Sequence, residues 1–125
     1  MKKIKKTLSR SKKPGKQRLL VAKAPLHIRK NFVRCRLSKE LQKTYNKRNL
    51  QVRKGDEVKV MRGQFKGKTG KVAQVLLKKT KLIIDGMDNI KTDGSKSPYP
   101  IHPSNVMITK IGSDDKKRKK VMERK

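Results

Sequence analysis

Hydrophobic and polar positions alternate most regularly in the middle of the chain, between residues 51 and 111. Val58 and Val60 alternate with a lysine and a methionine, and the short apolar runs KVAQVLL, LIID and NVMITKI come after them. Because turn formers bound these runs, the pattern predicts roughly four or five short strands in about sixty residues. The sequence therefore predicts a mainly β fold, and a small barrel rather than a sandwich, since a barrel has no unpaired edge strand.

The segment before the strands, residues 24–50, has a different pattern. Pro25 favours an extended or turning entry, because a proline restricts the residue before it. Ser38 is a good helix N-cap, and the strong helix formers KELQKTY come directly after it. We therefore expect an extended segment and then a short helix over roughly Ser38 to Asn46.

Charge changes this picture at both ends of the chain. The sequence has 38 Lys and Arg against 9 Asp and Glu, a net charge of +29 with an isoelectric point near 10.9. Only 32% of its residues are hydrophobic and 3% aromatic, so only part of the chain is expected to pack a core. The expected divisions are a basic arm (1–23), an extended segment with a short helix (24–50), the barrel (51–111) and a basic tail (112–125).

The two basic ends are rich in lysine and poor in apolar residues. Such runs usually remain solvated and unstructured until they meet an anion, and we expect this of the arm. For the tail, a frayed helix and disorder are both open.

Positive charge of this size opposes folding by self-repulsion and indicates a polyanionic partner. Nucleic acid, an anionic membrane and an acidic protein all qualify. The sequence has no apolar run that would span a bilayer, no apolar face for a membrane-binding helix, and no apolar centre of a secretory signal in MKKIKKTLSRSKKPGK. Its single cysteine, Cys35, fits a reducing compartment. We therefore expect an intracellular protein that binds nucleic acid.

The segment KGDEVKVMRGQFKGKTGKVAQV, residues 54–75, combines glycines with positive charge. Glycine permits a positive φ and a close approach to the main chain, where exposed N–H groups can donate to phosphates. We expect a tight turn that contacts phosphates. An ordinary hairpin, whose lysines only keep an edge soluble, remains the alternative. The cations that would surround the turn are Arg62, Lys66, Lys68 and Lys71.

Catalytic and metal-binding groups are few. Zinc usually needs four ligands at paired spacing, and the chain has only two histidines and one cysteine, so no metal or other cofactor is expected. Arg34 and Arg36 flank Cys35 and would lower the pKa of its thiol, but no histidine pairs with it for nucleophilic catalysis. The sequence therefore predicts that the protein is not an enzyme.

Two further positions have open or local interpretations. Phe65, at the tip of the predicted turn, would either stack on an unpaired base or cover the end of the barrel. Asp56, which precedes the first strand of the barrel, is expected to pair with a neighbouring lysine.

A family resemblance is carried by the turn and its flanks. GDEVKVMRGQFKGKTGKVAQV resembles a KOW motif, an RNA-associated hairpin unit marked here by Lys66-Gly67. The flanks APLHIRKNFVRCRLSKELQKTY and PIHPSNVMITKI resemble the archaeal and eukaryotic branch of one large-subunit ribosomal protein family. That family is numbered twenty-four in bacteria and archaea and twenty-six in eukaryotes. The resemblance covers about Arg18 to Ile111.

The resemblance implies an SH3-like barrel that binds large-subunit rRNA near its 5′ region, close to the peptide exit tunnel. It also implies neighbouring ribosomal proteins as partners, support of subunit assembly, and a place on cytoplasmic ribosomes without a membrane or a small-molecule substrate. The residues predicted to contact RNA are Arg18, Arg29, Lys30, Arg34, Arg36, Arg53, Lys54, Arg62, Gly63, Lys66, Gly67, Lys68, Lys71, His102, Ser104 and Asn105.

Two other functions compete with this interpretation. A transcription elongation factor with a KOW unit would place a mixed α/β domain before it, whereas this chain has only an arm and one short helix there. A small chromatin protein with an SH3-like barrel would bind duplex DNA with little preference for rRNA.

Overall fold

The structure is a computed structural model, which describes residues 11–112 and 116–123. Among these residues the chain forms eight strands and four helices. The strands are β1 (Arg34–Leu37), β2 (Asn49–Gln51), β3 (Glu57–Val60), β4 (Thr69–Leu76), β5 (Lys81–Ile84), β6 (Asp88–Ile90), β7 (Lys96–Pro98) and β8 (Val106–Lys110). The helices are α1 (Pro14–Lys23), α2 (Leu26–Phe32), α3 (Lys39–Tyr45) and α4 (Lys116–Glu123), and a 3-10 turn covers Pro103–Asn105.

Six of the strands form one sheet in the order β2-β1-β8-β3-β4-β5, and β6 pairs with β7 in a separate hairpin. The pairs are antiparallel except for β1 and β8, which are parallel. In the centre of the sheet, Val58 of β3 lies between Gly70 of β4 and Ile108 of β8. The expected mainly β fold with a short helix before the strands of the middle zone is confirmed.

The expected SH3-like barrel is not confirmed, because the sheet is open. Beyond β5 the ladder extends by a single bridge, between Leu82 and Ile101, before the 3-10 turn leads into β8. Pro100 and Pro103 flank this bridge on one side of the pair. Proline has no N–H to donate, so Pro103 cannot supply the next hydrogen bond of the ladder after Ile101.

The core contains the inward-facing side chains of the sheet. It includes residues that come before the predicted barrel in the sequence. Val58, Leu82 and Ile108 are completely buried. In β1, Cys35 and Leu37 point into the same core while the arginines between and before them point outward. This alternation reflects the two-residue period of a strand, in which successive side chains face opposite sides.

The predicted short helix is α3, and its ends are set by the two residues expected to bound it. The Oγ atom of Ser38 accepts a hydrogen bond from the Leu41 N–H at 3.4 Å. Asn46 ends the helix with a left-handed φ of 48°, a conformation that asparagine tolerates better than most residues.

Helix α2 is a difference from the expected extended segment. Pro25 does enter with extended dihedral angles, but it is the residue before a helix rather than part of a strand. The N–H groups of Ile28 and Arg29 donate to its carbonyl oxygen at 2.9 and 3.0 Å, so the helix begins directly after the proline.

The basic arm contains a helix where the sequence predicts no structure, although its first ten residues lie outside the described part of the chain. Every residue of α1 is at least partly exposed. The end of α1 is joined to α2 by Arg29, whose guanidinium donates to the carbonyl oxygens of Ala22 and Ala24, each at 2.7 Å. These hydrogen bonds satisfy carbonyl groups that a helix end leaves free.

The basic tail also contains a helix, α4, and this one is packed against the sheet. Met122 belongs to the core, and Arg118 is buried against Asp56. Residues 113–115 and 124–125 of the tail lie outside the described residues.

Candidate nucleic-acid interface

The turn between β3 and β4, which we call the glycine loop, comprises residues 61–68. Gly63 and Gly67 have φ values of 92° and 87°, in the region that side chains with a Cβ atom rarely adopt. The space where a Cβ atom would stand is open at both glycines, to 4 Å. Glycine is therefore required here for backbone conformation and not for close packing against the chain.

The second half of the glycine loop uses its own N–H groups to hold the turn. The Gly67 N–H donates to the carbonyl oxygen of Val60 at 2.8 Å, and the N–H groups of Lys66 and Lys68 donate to Gly63 and Phe65 at 3.1 Å. We expected such N–H groups to be donors for phosphates. Because Gly67 already has an acceptor, phosphate binding by this half of the loop would fall to the side chains, which are exposed at Arg62, Lys66 and Lys68.

Phe65 lies under the loop rather than at an exposed tip. Its side chain is 7% exposed and belongs to the core. The Nζ atom of Lys68 lies 5.3 Å from the centre of the phenylalanine ring, within the range of a cation–π interaction. The structure therefore favours the covering role of Phe65 over stacking on a base.

A second group of predicted residues forms what we call the His102 corner, residues 102–105. The Nδ1 atom of His102 lies 2.8 Å from the Ser104 Oγ atom and accepts from the Ser104 N–H at 3.3 Å. Because Nδ1 accepts the backbone N–H, a neutral ring carries its hydrogen on Nε2. The carbonyl oxygen of Asn105 accepts from the Met61 N–H at 2.7 Å, which joins the corner to the glycine loop.

The structure brings the glycine loop and the His102 corner to one cleft of about 190 Å³. Arg62 and Gly63 line it on one side, and His102 and Asn105 line it on the other. Among the other residues that line the cleft, sequence reasoning missed three with polar side chains, Gln64, Lys81 and Tyr99. Tyr99 had a weak signal, because it is one of only two tyrosines in the chain, whereas Lys81 is one lysine among many.

The other predicted contact residues lie elsewhere on the molecule. Arg34 and Arg36 point outward from β1, and the Arg34 guanidinium donates to the Asn31 side chain at 3.2 Å. Ser104 lies in the His102 corner but outside the cleft lining. Arg18 lies on α1, Lys30 on α2 and Lys71 on β4, all of them exposed.

Arg29 differs from the other predicted contact residues because the chain itself engages its guanidinium. Besides donating to the carbonyl groups of Ala22 in α1 and of Ala24 directly after it, the guanidinium donates through its Nη1 atom to the carbonyl oxygen of Lys78 at 3.4 Å. This arginine therefore joins α1, α2 and the turn after β4. Its observed contacts are structural.

Arg53 and Lys54 lie at a different opening, an apolar groove of about 860 Å³ on β4 and the turn before β3. Val75, Leu77 and Ile83 line the groove beside them. The Arg53 N–H donates to the Asp56 carboxylate at 2.9 Å.

The carboxylate of Asp56 attaches the tail to the rest of the protein. The expectation that Asp56 pairs with a neighbouring lysine is wrong. The two Nη atoms of Arg118 each lie 2.6 Å from one oxygen of the Asp56 carboxylate. Both side chains are almost completely buried, with 3% and 0% of the arginine and aspartate side chains exposed. The second Nη atom also donates to the Gln51 carbonyl oxygen at 3.1 Å, and the Gly112 N–H donates to Asp56 at 3.2 Å. A buried charge requires this degree of pairing.

The pKa of the Cys35 thiol also differs from the prediction. Burial, and to a smaller extent the negative charge of Asp56, raises the pKa of the thiol to about 12. The Sγ atom lies 3.1 Å from the carbonyl oxygen of Pro103. The flanking arginines, which were expected to lower this pKa, point to the opposite face of β1. The thiol is therefore protonated at neutral pH.

Two properties of the described ranges, 11–112 and 116–123, bear on function. In these ranges each helix is too short or too polar to cross a bilayer. Within the same ranges, histidine, cysteine and acidic side chains do not gather in groups of three that would hold a metal ion.

The comparisons with known proteins agree with one another. A family model that describes the eukaryotic ribosomal proteins L26 and their archaeal counterparts numbered twenty-four matches residues 11–125. The large ribosomal subunit protein uL24 of Methanothrix thermoacetophila is 51% identical to the chain over 114 residues, which cover 91% of this chain and 98% of that protein. The family match includes the glycine loop, the His102 corner and helix α4.

Proposed function

Because the chain belongs to the family of the eukaryotic ribosomal protein numbered twenty-six and the archaeal one numbered twenty-four, we propose that it is a structural constituent of the large ribosomal subunit that binds rRNA. The observation that carries the proposal is the exposure of Arg62, Lys66 and Lys68 around a glycine loop that its own backbone hydrogen bonds hold, on a chain with a net charge of +29. Exposed cations on a fixed turn match the phosphates of folded RNA, which proteins recognise largely by shape and backbone contacts.

Phosphate binding by these cations is tested through the salt dependence of affinity. Each phosphate neutralised releases counterions, so the logarithm of the association constant falls linearly with the logarithm of salt concentration. Replacing Arg62, Lys66 and Lys68 together with alanine should weaken binding to large-subunit rRNA and flatten that slope by about two to three. The measurement is a filter-binding or anisotropy titration at several salt concentrations.

A matched control removes three positive charges from other exposed positions. Lys78, Lys79 and Lys91 are exposed and were not predicted to contact RNA. Their joint replacement by alanine changes net charge equally, so it separates local contacts from the field of the whole protein. Equal slopes for the two triple variants would contradict the role of the glycine loop.

We further propose the position that the resemblance implies, near the 5′ region of the rRNA and close to the peptide exit tunnel, with support of subunit assembly. Directed cleavage tests it. A cleavage reagent attached to the Asp93→Cys variant, whose position is exposed between β6 and β7, should cut rRNA near the 5′ region in assembled subunits. The native Cys35 is buried, so the reagent would label the new site selectively. Cleavage confined to other rRNA domains would contradict this position.

A further inference from the structure

The cleft between the glycine loop and the His102 corner has the composition of a site for a flat, polar ring. One wall contains Tyr99, which is 40% exposed, and the lining also includes the cations Arg62 and Lys81. His102, Asn105 and Gln64 supply hydrogen-bonding groups. All eleven residues that line the cleft are neutral or positively charged, so it suits a ligand joined to phosphates.

The size of the cleft limits what can enter. Its volume of about 190 Å³ is below the ~300 Å³ at which pockets for drug-sized ligands begin. The cleft also opens to solvent on the surface that carries the glycine loop. A single ring that remains attached to a longer chain fits these dimensions better than a whole cofactor.

The aromatic wall is held in place by the core below it. The rings of Tyr99 and Phe65 lie 5.4 Å apart with an angle of 52° between their planes, a tilted arrangement that aromatic pairs prefer. The Tyr99 N–H donates to the carbonyl oxygen of Met87 at 2.9 Å. A ring fixed in this way loses little conformational freedom when another ring stacks on it.

From these observations we infer that the cleft receives one unpaired RNA base, which stacks on Tyr99 while Arg62 and Lys81 contact the phosphates on either side. The inference rests on the proposed function, because it assumes that the partner is RNA. The Nε2–H of His102 and the Asn105 side chain provide a donor and an amide for the edges of the base. Recognition of splayed bases by stacking and edge hydrogen bonds is the usual way in which proteins read RNA sequence.

The chain offers a direct optical test, because it has two tyrosines and no tryptophan. Tyr45→Phe leaves Tyr99 as the only strongly fluorescent side chain, and Tyr45 lies on α3 outside the cleft lining. The probes are two RNA hairpins that differ only by one unpaired adenosine. The hairpin with the unpaired base should quench Tyr99 fluorescence strongly and bind about tenfold more tightly than the fully paired hairpin.

Two substitutions of Tyr99 complete the test in the binding assay. Tyr99→Leu should abolish the preference for the unpaired base, whereas Tyr99→Phe, which keeps the ring, should retain it. Thermal unfolding of both variants checks that each remains folded. If Tyr99→Leu does not fold, Asn105→Ala, which leaves the ring in place, should still reduce the preference.

The outcomes separate the inference from the function on which it rests. Salt-dependent binding of both hairpins with equal affinity and no quenching by the unpaired base would overturn the base site and leave rRNA binding intact. Salt-independent or absent binding of both hairpins and of large-subunit rRNA would overturn the proposed function and the base site together.

Discussion

The two basic ends of the chain are alike in composition and opposite in structure. Helix α1 has every residue at least partly exposed and is joined to the rest of the molecule chiefly through the Arg29 side chain. Helix α4 buries Arg118 and Met122, and it places a guanidinium against the completely buried carboxylate of Asp56. Lysine-rich composition therefore does not decide whether a segment belongs to the folded domain. Contacts with the core decide it: Asp56 pairs with Arg118, and Met122 packs in the hydrophobic cluster.

The largest expected effect is on the free energy of unfolding. It distinguishes the buried Arg118 of α4 from the exposed Arg18 of α1. Arg118→Ala should lower the free energy of unfolding by about 3–5 kcal/mol, because it leaves the Asp56 carboxylate buried and without its cation. Arg18→Ala, on the exposed surface of α1, should change it by less than about 0.5 kcal/mol. Urea unfolding measured by circular dichroism reports both. A loss below about 1 kcal/mol for Arg118→Ala would show that α4 is not part of the cooperative unit.

A double variant shows whether the loss comes from the unpaired charge. Asp56→Asn with Arg118→Met should be less destabilised than the two single variants added together, because neither charge is then left alone in the core. Strict additivity would mean that the two side chains stabilise the protein independently.

The raised pKa of the buried Cys35 thiol predicts how the stability of the core depends on pH. Its folded pKa of about 12 lies above the ordinary thiol value of 9.0, so the buried neutral thiol contributes stability that is complete below pH 9. That contribution is lost as the pH rises from about 9 towards 12, because the unfolded chain can then ionise and the folded chain cannot. The difference in alkaline unfolding between the protein and the Cys35→Ala variant, measured between these pH values, checks the sign, because it isolates the contribution of this thiol.

At pH 8, modification of Cys35 by a thiol reagent should require an opening of the structure, because the folded thiol is buried and protonated. Arg118→Ala should therefore accelerate modification at least tenfold, and Arg18→Ala should leave the rate unchanged. Rapid modification of the unsubstituted protein would contradict the burial of the thiol.

A small effect on stability should accompany a clear effect on RNA binding when three cations of α1 are replaced. Lys16, Arg18 and Lys23 are exposed on α1, so their joint replacement by alanine should change the free energy of unfolding by less than about 1 kcal/mol. The same variant should flatten the salt dependence of rRNA binding by about two if the arm contacts phosphates. An unchanged slope would mean that α1 binds no phosphate.

Only part of the candidate site could be predicted from the sequence. The glycine loop was recognisable because Gly63 and Gly67 must adopt a positive φ, which is a local property of a tight turn. The sequence did not show that the glycine loop and His102 line the same cleft, because about forty residues and four strands lie between Gly63 and His102. Nor could the sequence show that the Gly67 N–H donates to Val60, since that hydrogen bond depends on how the turn closes.

For the fold, the sequence by itself determined the features that depend on neighbouring residues. The alternation at Val58 and Val60 specified strands, and Ser38 and Asn46 specified the ends of α3, because strand period and helix capping act within a few residues. The tertiary structure decided the pairings across the chain. Asp56 and Arg118 meet over a separation of 62 residues. The order of the strands brings such partners together, and the free-energy cost of burying an unpaired charge favours their pairing. No local sequence pattern encodes either effect.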